Sequence, residues 1–155
     1  MRVAGLGQAA AGDDGVGLVV LERLRQAPPE GVQLVALRDA VPLIELLDGE
    51  PLLLIDALVS DEAPGTLRWL TAAEVGRAPL WSTHGMGLPD ALGMAQVLHG
   101  DDAGAELAVL AVCIAPPQGV SMGLSPAVAE AVPRAVDEVH HYLARRGPPP
   151  GSTHA

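Results

Sequence analysis

Lysine and phenylalanine are absent from this 155-residue chain, cysteine occurs once, and aromatic residues make up 2% of it. Nine arginines stand against nineteen Asp and Glu, a formal net charge of −10. Such a chain cannot readily build the basic patch that nucleic acid or an anionic membrane requires, so its partners are expected to be neutral, cationic or proteinaceous. The single Cys113 excludes an intrachain disulfide framework and any multi-cysteine zinc or iron–sulfur site, which fits a reducing cytoplasm. No apolar run nears the roughly 20 residues of a membrane helix, the longest spanning 51–55 and 107–114. Residues 1–6 run directly into a glycine-rich turn with no separate cleavage region, so no signal peptide and a cytoplasmic location are expected.

What is present is a chain of single-domain size, 49% hydrophobic with mean hydropathy +0.31, enough to bury a core of Leu, Val, Ala and Ile. Composition shifts sharply only at the C-terminus. Residues 1–146 are therefore expected to form one domain, and the Pro- and Gly-rich residues 147–155 a disordered tail. Five short apolar segments predict strands at 3–6, 32–37, 52–55, 66–70 and 107–114. Three are nearly continuous apolar runs, as in strands covered on both faces. Helical spacing of apolar residues predicts helices at 15–26, 88–98 and 125–144. The third should start at Ser125-Pro126, a capping hydroxyl followed by proline in the first turn, and should kink or reset at Pro133.

Alternating helices and strands imply a parallel sheet between helical layers. The link before the fourth segment, with its Pro64-Gly65 turn, is too short for a crossover helix. The expected fold is thus a three-layer α/β/α sandwich whose mostly parallel five-stranded sheet has one antiparallel edge strand. In such sheets the functional cleft lies beyond the carboxyl ends of the parallel strands.

Three segments should deliver polar groups there. The first is the turn Gly5-Leu6-Gly7 running into Gly12-Asp13-Asp14-Gly15-Val16-Gly17. It has the look of a dinucleotide fingerprint, but its third glycine is displaced and two carboxylates stand where a pyrophosphate would need the helix N-terminus. The aspartates either cap the helix and complement its dipole or welcome a cation. Capping needs only one of them. The second is Asp56, expected to end the buried strand 52–55 at the cleft, where a carboxylate is costly unless paired, hydrogen-bonded or metal-bound. The third is His84 in a glycine-flanked loop, either a solvated side chain or a ligand. Two carboxylates and one imidazole with exchangeable positions suit a borderline metal such as nickel or zinc. His99, His140, His141 and His154 read as surface residues and Cys113 as a small core residue. Trp69 and Trp81 read either as partner-surface markers or as fillers of a phenylalanine-free core.

In order, spacing and context these segments resemble the hydrogenase maturation proteases, the endopeptidases that trim the C-terminus of the nickel–iron hydrogenase large subunit. The resemblance spans about residues 2–143 and rests on the Gly5-x-Gly7 turn with Gly12-Asp13-Asp14-Gly15-Val16-Gly17, Ile55-Asp56-Ala57, Pro64-Gly65-Thr66, the His84 loop with Gly87-Leu88, and Gly123-Leu124-Ser125-Pro126. It implies an enzyme without a permanent cofactor, expected as a monomer. Asp14, Asp56 and His84 would be both its catalytic and its metal-contacting residues, meeting the nickel carried by the precursor, with zinc or cadmium as surrogates. Three segments depart from the family pattern. Gln8 replaces the usual Asn, Arg38-Asp39-Ala40-Val41 replaces Asp-Gly-Gly-Thr, and Ala115-Pro116-Pro117-Gln118 lacks the usual Glu. They raise an alternative expectation, a noncatalytic homologue that binds metal or precursor but has lost efficient cleavage.

Overall fold

The computed structural model describes residues 1–8, 12–77, 87–117 and 121–146. Its strands are β1 (Arg2–Leu6), β2 (Gln33–Leu37), β3 (Leu52–Val59), β4 (Leu67–Thr71) and β5 (Leu107–Ile114). Its helices are α1 (Val16–Gln26), α2 (Leu43–Leu46), α3 (Ala72–Arg77), α4 (Leu88–His99) and α5 (Pro126–Arg146), with a 3-10 turn at Gly12–Gly15 ahead of α1. All five expected strands and all three expected helices are present. The turn, α2 and α3 are too short to leave a periodic signature.

The sheet order is β2-β1-β3-β5-β4. β1, β2, β3 and β5 are mutually parallel, and β4 runs antiparallel to β5 at the edge. The tight β3–β4 turn forces that reversal. Gly65 adopts φ +91° within it, its N–H donates to Cys113 O at 2.8 Å, and Cys113 N–H returns a bond to Thr66 O at 2.8 Å.

Side chains alternate across the strands, so each apolar run feeds two cores. Leu52, Leu54, Leu58, Val109, Ala111 and Cys113 pack with Leu43 of α2 and Leu88, Ala91 and Ala95 of α4. Leu53, Ile55, Ala57, Leu110, Val112 and Ile114 pack on the other face with Val20, Leu21 and Leu24 of α1 and Val128, Ala131, Val132 and Val139 of α5. Among the described residues no aromatic side chain is fully buried, and Leu, Val, Ala, Ile and Cys113 fill both cores. Each fully buried Leu or Ile contributes about 1.5–3 kcal/mol.

Two expectations need correction here. Pro133 does not reset the last helix, which runs unbroken through it. The proline lies on the exposed side, and losing one backbone bond there is outweighed by the buried stripe of Val128, Ala131, Val132, Ala135 and Val139. Asp56 does not end its strand: β3 continues to Val59, because β5 offers it partners as far as Ile114. What ends nearby is β1, whose ladder with β3 stops at Gly5 opposite Ile55.

The glycines of the first turn serve close packing. A Cβ on Gly17 would collide with the backbone carbonyls of Leu6 and Ile55, and one on Gly5 with the carbonyl of Gly17. The start of α1 therefore lies directly on β1 and β3, with no gap for a side chain.

Candidate functional site

Asp56 belongs to the step in the sheet where β1 stops and β3 and β5 continue as a pair. Register places it opposite Ala111. The alternation that sends Leu54 and Leu58 toward α2 and α4 places it on that same face. It is the one buried charged residue among those described, 7% exposed. Its Oδ1 accepts the Ala57 N–H at 2.8 Å. Burial, and then the negative charge of Asp14, push its carboxyl well above the usual carboxylate range against the opposing effect of that hydrogen bond.

Asp14 comes from the 3-10 turn, half-buried and near enough to act on Asp56. The turn is pressed onto the end of β1, since a Cβ on Gly7 would run into the Asp14 carbonyl. Gly12 enters it at φ +61°, a conformation that favours glycine. Thus the fold brings together Asp14 and Asp56, 42 positions apart in sequence. His84 lies outside the described residues, as do Trp81, Gln118 and His154. Among the described residues no three His, Cys, Asp or Glu side chains gather around one point.

Asp13 has a different task, which the sequence reading missed. Its carboxylate accepts the Ser125 N–H at 2.6 Å and the Ser125 hydroxyl at 2.8 Å. It therefore holds Ser125, the residue that leads into α5 and lies 112 positions later, rather than capping the adjacent α1. The expected Ser125-Pro126 start is correct, with Ala129 N–H bonded to Ser125 O. The hydroxyl, however, donates to Asp13 instead of accepting from its own helix. The signal was present as one aspartate more than a single cap requires.

Beside this tie lies a cleft of about 490 Å³, lined by Gly12, Asp13, Pro116, Pro117, Met122 and Ser125 among others. Neither Asp14 nor Asp56 is in its wall. Two departures from the family pattern also meet: the Gln8 side chain donates to Arg38 O at 3.5 Å. Asp39 Oδ1 accepts the Val41 N–H at 2.9 Å, closing the loop after β2 into a turn that buries Ala40.

The other candidates resolve simply. Cys113 is buried, its thiol pushed up by burial and then by neighbouring Glu62, as befits a core residue. His99 shares a hydrogen bond of 3.0 Å with Ile44 O, and His140 and His141 are exposed. Trp69 stacks on Tyr142 with centroids 5.1 Å apart and donates to Glu138 at 2.9 Å, so it fastens β4 to α5.

The sequence profile of the hydrogenase maturation proteases matches residues 35–141, well over half of the chain. The chain belongs to that family. The match begins at β2 and thus leaves out the glycine turn with Asp14. Solved structures cover that part as well. The hydrogenase maturating endopeptidase HybD from E. coli is 26% identical with a TM-score of 0.73, covering 94% of this chain and 93% of its own. HybD from Thermococcus kodakarensis is 26% identical with a TM-score of 0.67, covering 92% and 97%. HycI from T. kodakarensis shares the fold at 18% identity, with a TM-score of 0.70 over 92% and 91%. No curated protein matches the chain significantly. The α/β fold of the hydrogenase maturation proteases is therefore the fold of this chain.

Proposed function

We propose that this hydrogenase maturation protease homologue is an endopeptidase that removes the C-terminal extension of a nickel–iron hydrogenase large-subunit precursor after nickel insertion. The observation that carries the reading is Asp56, an acid buried in the middle of an apolar strand beside the charge of Asp14. Two carboxyl groups held together in this way cost stability unless a proton or a cation comes between them. A cation carried in by the substrate suits the pair, and nickel already installed in the precursor is such a cation. Asp14, Asp56 and His84 would contact it, which makes cleavage conditional on metal insertion. Bound there, nickel would polarise the scissile carbonyl as a Lewis acid while a carboxylate takes the proton of the attacking water and returns it to the leaving amine.

The test is incubation with nickel-loaded and nickel-free precursor, followed by intact-mass measurement. Loss of the extension from the loaded form only is expected, and Asp14→Ala, Asp56→Asn and His84→Ala should each abolish it. Cleavage by all three variants would overturn the site assignment.

The closed turn at residues 38–41 favours a second reading. Where the family pattern has two glycines, this chain has Asp39, whose side chain closes the turn, and a buried Ala40, which restrict the backbone. A noncatalytic homologue would bind the loaded precursor stably and release no product, while a family member with the usual loop cleaves the same material.

A further inference from the structure

Helix α4 turns its buried side, Leu88, Ala91, Leu92 and Ala95, to the core. On its outer side Met94 is 50% exposed, Leu98 58% and Val97 90%. At 100° per residue these three side chains fall within one sector of the helix, together with the gap at Gly93. Single exposed aliphatics are ordinary, but three adjoining ones on a single helix face form a patch.

The surroundings of the patch are acidic. Asp90 precedes it on the same helix face, its carboxylate accepting the Gly87 N–H at 3.2 Å. Exposed Asp101 and Asp102 follow at the far end, and Glu45 is exposed on α2, which packs against α4. Arginine is missing from residues 39–67 and 78–133, and lysine from the whole chain. The nearby Arg2 is occupied by Asp48 at 2.9 Å. The sequence of α3, which also touches α4, contains one acid, Glu74, and one base, Arg77.

Charge and size select the occupant. A second copy would set acid against acid on chains that each carry −10. An anionic membrane is repelled for the same reason. Three side chains also fall well short of the roughly 800 Å² per partner that a stable interface needs. They suffice as a second anchor for a protein already engaged elsewhere on this molecule. Helix α4 begins on the cleft side of the sheet, and Met94 to Leu98 lie roughly 9–15 Å along it by helical rise, a span that a globular substrate bridges easily.

Resting on the function proposed above, we infer that the Met94–Val97–Leu98 face of α4 docks the folded body of the precursor through an apolar patch rimmed by basic residues, at a distance from the scissile bond.

The full-length protein and a nickel-loaded large-subunit precursor encoded by the same genome serve as the test. The double variant Val97→Ser, Leu98→Gln changes only exposed positions, and its thermal unfolding should match the parent. Its Kd for the precursor should weaken about tenfold, with KM for processing rising in parallel and kcat at saturation unchanged. Asp101→Lys with Asp102→Lys should weaken binding and flatten its salt dependence. A Kd within twofold of the parent in both variants overturns the inference, as does a parent that dimerises through this face in light scattering while the double variant does not. Failure of the parent to cleave, with the Kd shift intact, would sink the endopeptidase reading and leave the docking face standing.

Discussion

At the scale of single residues, Asp56 and Asp13 show two ways of holding a carboxylate. Asp13 has two donors from Ser125, so removing it leaves the N–H and hydroxyl at the entry to α5 without their acceptor. Asp13→Ala is expected to cost about 1–3 kcal/mol, read from the urea midpoint. Ser125→Ala, which keeps the N–H bond, should cost less. Asp56 behaves in the opposite sense. Its carboxyl is raised by burial and by Asp14, so between about pH 3.9, the usual Asp value, and the raised folded value the native state holds a proton that the unfolded chain has lost. Stability therefore falls as pH rises through that window. Asp56→Asn keeps an acceptor for the Ala57 N–H and removes the titration. It should be more stable than the parent at pH 7, with the advantage shrinking toward pH 3, while processing is lost. A variant less stable than the parent at neutral pH would show that the carboxylate is not a destabilising group.

At the scale of elements, the junction of α1 with β1 and β3 depends on Gly17. Alanine is favoured over glycine within a helix by about 1 kcal/mol. Here, however, its Cβ would meet two backbone carbonyls that cannot turn aside, those of Leu6 and Ile55. Overpacking costs about 1–3 kcal/mol and more where backbone must shift, so the clash should win. Gly17→Ala is expected to lose roughly 2 kcal/mol in chemical denaturation and to displace the turn carrying Asp14, lowering processing as well. Unchanged stability would mean that α1 can lift from the sheet. The same contact explains why a glycine-rich turn resembling a phosphate loop serves here as packing: its glycines are used up by helix-on-strand contact and its helix start carries acids.

At the scale of the whole molecule, charge imbalance opposes compactness. Four ion pairs occur among the described residues, all with at least one exposed partner, and pairs of that kind are worth about 0–1 kcal/mol each. Repulsion within a chain of net charge −10 acts over its entire surface. Salt screens both, and the repulsion is the larger sum. Raising NaCl from 10 to 300 mM should increase Tm in calorimetry, whereas a fall would place the surface pairs above the net charge. No helix among the described residues is long and apolar enough to cross a membrane, in keeping with the short apolar runs of the sequence.

The five strands, the three long helices and their stacking were legible in the sequence alone. Period-2 and period-3.6 patterns are local, and the apolar runs at 52–55 and 107–114 already implied strands covered on both faces. The Pro64-Gly65 turn implied the antiparallel edge. The candidate acids were also legible, because a charge interrupting an apolar run needs a reason. Tertiary structure decided what each acid does. That Asp13 serves Ser125, that Asp56 lies inside an extended strand rather than at its end, and that Asp14 stands beside it all depend on partners 42 to 112 positions away. No local pattern encodes such a partner, since only the assembled sheet brings the turn after β1 both to the middle of β3 and to the residue that precedes α5.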